Sequence, residues 1–170
     1  MDLVKIIRDF PDFPKPGILF RDISPVIKNP KALHYITKTF SDRFPLDSVD
    51  IVAGIEARGL AFAALLAAHY DKGFFMVRKK GKLPGPTVNI SYGLEYGSAE
   101  MEIQQDALEA GQRVLIIDDL LATGGTARAA ANLIEKVGAK VAGLAFVIEL
   151  TELQGRKQLE GYKIETLVSY

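Results

Sequence analysis

The hydrophobic pattern along this 170-residue chain alternates between two kinds of segment. Short apolar runs rich in β-branched residues predict buried strands, and alanine-rich or amphipathic stretches predict helices. The predicted strands are 49–55, 74–78, 114–117, 140–149 and 164–168, and the predicted helices are 31–44, 60–70 and 126–137, with a short helical piece at 151–159. This alternation favours a single α/β domain over residues 1–170, with a central parallel sheet flanked by helices.

Two segments depart from this alternation. Residues 11–30 hold five of the eight prolines and predict irregular structure. Residues 79–103 begin with a basic loop containing Gly and Pro and continue with two stretches of alternating polarity, 87–92 and 99–103. Such alternation around a Gly-flanked centre is typical of a solvent-facing β-hairpin. We therefore predict a flexible β-hairpin flap over about residues 79–103.

Composition narrows the classes of function. The chain has 21 basic and 21 acidic residues, so it lacks the overall positive field on which non-specific nucleic-acid binding depends. The absence of cysteine excludes thiolate catalysis and Cys-ligated metal sites. The longest apolar run, 60–68, is too short to cross a bilayer, and the charged N-terminal segment is unlike a secretory signal. We expect a cytoplasmic protein whose partners are small molecules or a second copy of itself.

The most informative segment is VLIIDDLLATGGT, residues 114–126. A buried strand there delivers two adjacent carboxylates, Asp118 and Asp119, to the edge of the sheet, and a Gly-rich loop then leads into a helix. The N–H groups of such a loop and the positive end of the helix dipole together bind phosphate. The candidate phosphate-binding residues are Ala122, Thr123, Gly124, Gly125 and Thr126.

This loop lacks the GK[ST] ending of a Walker loop and the GxGxxG of dinucleotide sites, so the predicted ligand is a phosphate monoester. A glycine pair alone usually marks only a turn, and Thr126 could simply cap the helix. That interpretation leaves the carboxylates unexplained, because adjacent Asp side chains at the end of a buried strand need hydroxyls, a cation or water as partners. A ribose 5-phosphate carries two hydroxyls near its phosphate.

A second segment, GIEARG at 54–59, also follows a predicted strand. A lone Arg58 beside Glu56 could be an ordinary solvated ion pair. However, Gly59 opens the alanine-rich helix, where backbone amides are free, and an Arg fork is suited to a diphosphate. The segment is therefore a candidate diphosphate site.

Segment 114–126 resembles the signature of the type I phosphoribosyltransferases, which bind 5-phosphoribosyl 1-diphosphate. The resemblance implies their fold, including a small N-terminal hood at about residues 1–30, and a homodimer. It implies that Asp118 and Asp119 hold the ribose hydroxyls and that Mg²⁺ is bound through substrate oxygens rather than directly by the protein. It also implies a set of diphosphate-binding residues, with Arg58 catalytic among them: Glu56, Ala57, Arg58, Arg78 and Lys79.

Three segments resemble the adenine-specific branch of this family: 13–25, FPKPGILFRDISP; 78–86, RKKGKLPGP; and 91–97, SYGLEYG. That branch converts adenine and the sugar donor to AMP and diphosphate. The resemblance implies that Phe20 stacks on the purine and that backbone groups of Leu19 and Arg21 read its edge. It also makes Glu95 the catalytic residue that handles the purine proton and Tyr96 a flap residue that closes over the site.

Alternatives remain at this stage. Phe20 could be a core aromatic residue, Glu95 and Tyr96 could belong to an ordinary exposed turn, and the lysines at 79–82 could be a solvated charge run. The chain could use another base, such as xanthine or guanine. A non-enzymatic sensor of the sugar diphosphate that controls transcription would need a DNA-binding module, for which this neutral chain has no room. We expect His34 and His69 to be packing or surface residues.

Overall fold

The computed structural model describes residues 1–93 and 98–170. Its strands are β1 (Arg8–Pro11), β2 (Leu19–Asp22), β3 (Ile51–Ile55), β4 (Phe74–Lys79), β5 (Thr87–Gly93), β6 (Ser98–Gln104), β7 (Arg113–Leu121), β8 (Lys140–Glu149) and β9 (Ile164–Ser169). Its α-helices are α1 (Ser24–Lys28), α2 (Pro30–Arg43), α3 (Gly59–Tyr70) and α4 (Gly125–Lys136). Short 3₁₀ helices cover Leu46–Ser48, Thr151–Leu153 and Gly155–Leu159.

The main sheet has seven strands in the order β5-β6-β4-β3-β7-β8-β9. The five strands from β4 to β9 in that order are parallel, whereas β5 and β6 form an antiparallel pair at one edge. This arrangement confirms the predicted α/β class with a central, mostly parallel sheet. Because strand order reverses between β3 and β7, the carboxyl ends of these two strands open a crevice where ligands bind on such sheets.

Helices cover both faces of the sheet, which explains why its central strands are continuous apolar runs. On β7, Leu115 and Ile117 face a core shared with α1, α2 and α3, while Val114 and Ile116 face a core shared with α4. All four residues are almost fully buried. The two cores fix β7 rigidly, and with it the residues at its carboxyl end.

The prediction of irregular structure over residues 11–30 is right for 12–18, which form turns and bends, but wrong for most of the remainder. β1 and β2 form a separate two-stranded antiparallel sheet, and α1 follows at once. Proline is tolerated here because Pro11 ends an edge strand, while Pro25 and Pro30 occupy first-turn positions of helices, which need no N–H donor. Asn29 caps α2 by accepting hydrogen bonds from the amides of Lys31 and Ala32.

The predicted hairpin within 79–103 has the expected two strands, but the prediction that both strands face solvent was wrong. β6 also pairs with β4, with Arg78 opposite Glu102, so the hairpin extends the main sheet. As a result Met101, Glu102 and Ile103 are buried rather than facing solvent. Its flexibility stays a prediction. The predicted helical piece at 151–159 consists of two short 3₁₀ helices.

Within the described ranges, no helix is both long and apolar enough to span a bilayer.

Candidate active site

The acidic pair lies within β7, which continues to Leu121 instead of ending at Ile117 as predicted. Successive residues of a strand point to opposite faces, so the two carboxylates have different surroundings. Asp119 is buried and forms an ion pair with the Nε of Arg58. Asp118 borders a small cavity at the loop that follows.

Asp118 is half-buried and borders this cavity. Burial raises the pKa of its carboxyl well above the usual range, and the charge of Asp119 raises it further. Its Oδ1 accepts a hydrogen bond of 2.8 Å from the backbone N–H of Asp119. A half-buried carboxyl beside a second carboxylate needs an additional polar partner in order to ionise.

The predicted phosphate loop runs from the end of β7 into α4. Gly124 has a left-handed backbone with φ of 87°, which lets the chain turn sharply before the helix begins at Gly125. The first amides of a helix have no intrahelical acceptor, so this turn presents unpaired N–H donors. The cavity beside it is about 90 Å³ and is lined by Asp118, Leu120, Leu121, Ala122, Thr123, Gly124, Thr126 and Ala127.

A cavity of this size corresponds to about three water molecules at roughly 30 Å³ each, which suits a small anion. Four of the five predicted phosphate-binding residues line it, and Gly125 lies at the helix start beside Tyr92. Tyr92 is a residue that the sequence did not point to. Its hydroxyl oxygen lies 3.3 Å from that of Thr126, so strand β5 contacts the loop directly.

The second predicted loop, Glu56–Arg58, connects β3 to α3. Gly59 is required at the helix start, because a Cβ there would lie 2.7 Å from the carbonyl oxygen of Ile117 and 2.8 Å from Asp118 Oδ1. The absence of a side chain lets the N-terminus of α3 approach the acidic pair. The structure therefore brings the two loops together at the carboxyl ends of β3 and β7.

Glu56 joins this loop to the basic residues of β4. Its carboxylate accepts hydrogen bonds from Arg78 Nε at 3.1 Å and from the backbone N–H of Lys79 at 3.0 Å. Burial opposes its ionisation, but these two donors outweigh burial, so the pKa of Glu56 lies below its usual value. Arg78 also donates to the carbonyl oxygen of Lys82 at 3.1 Å. The carboxylate of Glu56 thus orients Arg78, a function that the sequence pattern did not reveal.

Arg58 links the acidic pair to the N-terminal sheet. Its guanidinium carbon lies 5.8 Å from the centre of the Phe20 ring, while its Nε binds Asp119. Phe20 is half-buried and packs edge to face on Phe13, with ring centres 5.2 Å apart. The arrangement excludes the alternative in which Phe20 is a fully buried core residue.

β2 presents a free backbone edge. In the two-stranded sheet, Pro11 lies opposite Leu19 and Asp9 lies opposite Arg21. Pro11 has no N–H and cannot donate to Leu19, so we infer that Pro11 and Leu19 form a pair without backbone hydrogen bonds. By the antiparallel alternation, the same holds for Asp9 and Arg21. The N–H and C=O groups of Leu19 and Arg21 therefore point away from β1.

The side chains of Leu19 and Arg21 point to the opposite side from Phe20, into a cavity of about 450 Å³. Arg21 forms an ion pair of 2.5 Å with Asp9, and its guanidinium carbon lies 3.7 Å from the ring centre of Tyr170. The sequence analysis did not single out the lining residues that come from the C-terminal part of the chain: Leu150, Glu152, Leu153 and Tyr170. They follow β8 and β9, so the rule that parallel strands end at one edge could have indicated them.

Glu95 and Tyr96 fall outside the described residues. His34 and His69 line a groove of about 290 Å³ with residues of α2 and α3, and that groove contains none of the predicted site residues. Among the residues that the structure describes, no group of three or more His, Cys, Asp or Glu side chains is arranged to hold a metal ion.

Comparison with known proteins gives a consistent result. Residues 26–168 match the phosphoribosyl transferase domain family. Over 170 residues the chain is 56% identical to the adenine phosphoribosyltransferase of Nitrosopumilus maritimus (strain SCM1), with all of both chains covered.

Solved structures agree with this. The adenine phosphoribosyltransferase of Thermoanaerobacter pseudethanolicus superposes with a TM-score of 0.95 at 48% identity, covering 99% of this chain and 98% of that one. The Saccharomyces cerevisiae enzyme, solved with an iminoaltritol bisphosphate and adenine, gives a TM-score of 0.91 at 40% identity, covering 97% and 96%. The family expected from segment 114–126 is thereby confirmed, and the chain belongs to the phosphoribosyltransferases, among the adenine phosphoribosyltransferases.

Proposed function

We propose that this protein transfers the 5-phosphoribosyl group from 5-phosphoribosyl 1-diphosphate to adenine, giving AMP and diphosphate in purine salvage. One observation carries the proposal: Arg58 contacts Asp119 on one side and the ring of Phe20 on the other. A charged group suited to a diphosphate thus lies between a carboxylate suited to ribose hydroxyls and an aromatic face suited to a base. The three parts of the reaction have adjoining candidate sites.

Each part of the donor has a candidate binding group. The loop at 122–126 binds the 5-phosphate through its amides and the dipole of α4. Asp118 and Asp119 accept hydrogen bonds from the ribose hydroxyls. Arg58, with the backbone of Glu56 and Ala57, binds the diphosphate, and Arg78 and Lys79 add positive charge beside it.

Catalysis in this scheme is mainly electrostatic. Breaking the bond at the anomeric carbon develops positive charge on the ribose ring and negative charge on the departing diphosphate. Arg58 stabilises the leaving group, and the carboxylates of Asp118 and Asp119 lie near the ring that becomes positive. A flap that closes over the site excludes water, which would otherwise hydrolyse the activated sugar.

The described residues fit Mg²⁺ only as a substrate-borne ion. Asp119 is already paired with Arg58, and Asp118 alone cannot supply a cage of oxygen ligands. Mg²⁺ commonly keeps its waters and binds through one or two carboxylates plus phosphate oxygens. When bound with the donor it neutralises charge on the diphosphate, and Asp118 is the described carboxyl nearest to the phosphate cavity.

The direct test is conversion of labelled adenine to AMP with the sugar donor, with and without Mg²⁺. We expect AMP and diphosphate in equal amounts and a requirement for Mg²⁺. Competition at a fixed donor concentration with guanine, xanthine and hypoxanthine tests the base. Preferred turnover of one of these bases would replace adenine in the proposal, and donor binding without turnover of any base would favour a sensor.

Replacing Phe20 by Ala is expected to weaken adenine binding by roughly 1 to 3 kcal/mol, because a base loses its stacking partner. The KM for adenine at saturating donor is the measurement. Leu19→Ala is the matched control, since that side chain points away from Phe20 and only its backbone is proposed to read the base. An unchanged adenine KM in Phe20→Ala would move the base site elsewhere.

We infer that the protein is a homodimer and that β4 contributes to its interface. Phe74 and Met76 project on the α3 side of the sheet yet remain 41% and 37% exposed, because α3 leaves this part of β4 uncovered. Sedimentation velocity is expected to give twice the chain mass of 18.6 kDa. Phe74→Glu is expected to shift the protein to the monomer. A wild-type monomer at micromolar concentration would contradict this inference.

We also expect this protein in the cytoplasm. The chain has no cysteine, so its fold needs no disulfide and is compatible with that reducing compartment.

A further inference from the structure

The phosphate loop rests directly on the backbone of a later segment. Gly155 is buried, and a Cβ added to it would overlap the carbonyl oxygen of Ala122. In the reverse direction, a Cβ added to Gly124 would overlap the carbonyl oxygen of Gly155. No side chain therefore separates the two backbones, and the position of Gly155 determines how the loop lies.

The residue after this glycine, Arg156, is half-exposed and is held by an ion pair with a buried carboxylate. Arg156 donates from Nε and from its second terminal nitrogen to the two oxygens of Glu149, at 2.8 and 2.9 Å. The Glu149 side chain is only 7% exposed. It also accepts a hydrogen bond of 3.0 Å from the hydroxyl of Thr166. The hydrogen bonds from Arg156 hold the pKa of Glu149 below its usual value, so the pair is charged at neutral pH.

Glu149 ties this arrangement to the start of the phosphate loop. In the β7–β8 pair it lies opposite Leu121, the residue that precedes Ala122. The loop thus begins beside Glu149 and packs on Gly155. Arg156, the residue after Gly155, binds the Glu149 side chain. The 3₁₀ helix that begins with Gly155 and Arg156 ends at Leu159, which is fully buried in the core that contains α4.

From these contacts we propose that Gly155 and Arg156 are positioning residues for the 5-phosphate of the sugar donor. They hold the amides of the loop at 122–126 in the arrangement that the phosphate requires, without touching the substrate. Backbone N–H groups bind an anion well only when surrounding contacts hold them in place. The inference rests on the proposed function, because it assigns the phosphate to this loop.

The test uses Gly155→Ala, with Gly73→Ala as the matched control. A Cβ at Gly73 would meet no heavy atom within 4 Å, and neither glycine has a positive φ. In Gly155→Ala the new methyl group must displace Ala122. We expect ribose 5-phosphate to bind about tenfold more weakly, the loss expected for one charge-assisted hydrogen bond. The donor KM should rise in parallel, while the adenine KM at saturating donor stays close to that of the wild type.

A second variant covers the case in which Gly155→Ala does not fold. Arg156→Lys keeps the charge but loses the two-pronged contact with Glu149, so ribose 5-phosphate affinity should fall in the same direction by a smaller factor. Unchanged affinity in every variant that folds would overturn the inference, as would an equal rise in the KM for both substrates, which indicates a general loss of structure. A wild-type protein that makes AMP but whose folded variants bind ribose 5-phosphate normally leaves the proposed function intact. A wild-type protein that neither makes AMP nor binds ribose 5-phosphate refutes the proposed function and this inference together.

Discussion

Replacing Asp118 and Asp119 together by Asn is expected to lower kcat/KM for the sugar donor by at least about a hundredfold while leaving the fold intact. Each carboxylate supplies a charged hydrogen bond to a ribose hydroxyl, worth about 1.5 to 3 kcal/mol, and ten-fold corresponds to about 1.4 kcal/mol. Asparagine has nearly the same shape but carries no charge to face the positive ribose ring. Steady-state kinetics at saturating adenine is the measurement.

The matched control is Asp42→Asn, which removes a carboxylate on the surface of α2 whose one ion-pair partner among the described residues is Lys38. Its kinetics should equal those of the wild type. A folded double variant of Asp118 and Asp119 with unchanged kcat/KM would show that the acidic pair does not hold the ribose.

The single variant Asp118→Asn is expected to be more stable than the wild type at neutral pH. Because its pKa is raised in the folded protein, Asp118 holds its proton more tightly there than in the unfolded chain, whose pKa is about 3.9. The wild-type free energy of unfolding therefore falls as pH rises from the unfolded pKa towards the folded one. Asn has no proton to lose. The difference in the free energy of unfolding between Asp118→Asn and the wild type therefore grows as pH rises over this range, and it is absent at lower pH. Thermal melts of both proteins across that pH range measure this difference. If Asp118→Asn were less stable than the wild type at neutral pH, the Asp118 carboxyl would not destabilise the folded protein as proposed.

Most of the fold could be predicted because local pattern and tertiary context agree along the central strands. Residues 141–148 are a continuous apolar run that is mostly buried on both faces, and the predicted strand 140–149 has the bounds of β8. Residues 11–30 could not be predicted in this way. Their prolines break the pattern, and β1 and β2 are stabilised by each other and by contacts such as that of Arg8 with Asp22. Such pairings between distant residues leave no periodic signal in the sequence.

The candidate site also has a part that the sequence predicted and a part that it did not. The loops at 56–59 and 122–126 carry their chemistry in consecutive residues, so the sequence indicated them. The positions of Leu150 and Tyr170 beside Arg21, and of Gly155 beside Ala122, depend on where distant segments meet. A glycine at 155 looks like an ordinary helix breaker in the sequence, and only its contact with Ala122 explains why a side chain is absent.

Replacing Glu95 by Gln is expected to slow the chemical step by about a hundredfold to ten-thousandfold, the usual contribution of a general acid or base. In the proposed function its carboxylate handles the purine proton, and Gln keeps the shape but cannot exchange a proton. Donor binding should stay nearly intact, because the phosphate and diphosphate loops at 122–126 and 56–58 are formed by other segments. Glu95 lies outside the described residues, so this expectation rests on the family and on the proposed function.

Single-turnover rates at saturating adenine and donor are the right measurement for Glu95→Gln, since steady-state turnover can report product release instead. The matched control is Glu100→Gln, which removes a carboxylate on β6 that pairs with Lys80 at 2.5 Å. That control should retain the wild-type first turnover. If Glu95→Gln also completes its first turnover at the wild-type rate, Glu95 does not act on the proton, and the proton must leave through water or another group. If instead the rate falls while the dissociation constant of the donor is unchanged, the loss belongs to the chemical step, as a proton-transfer role for Glu95 requires.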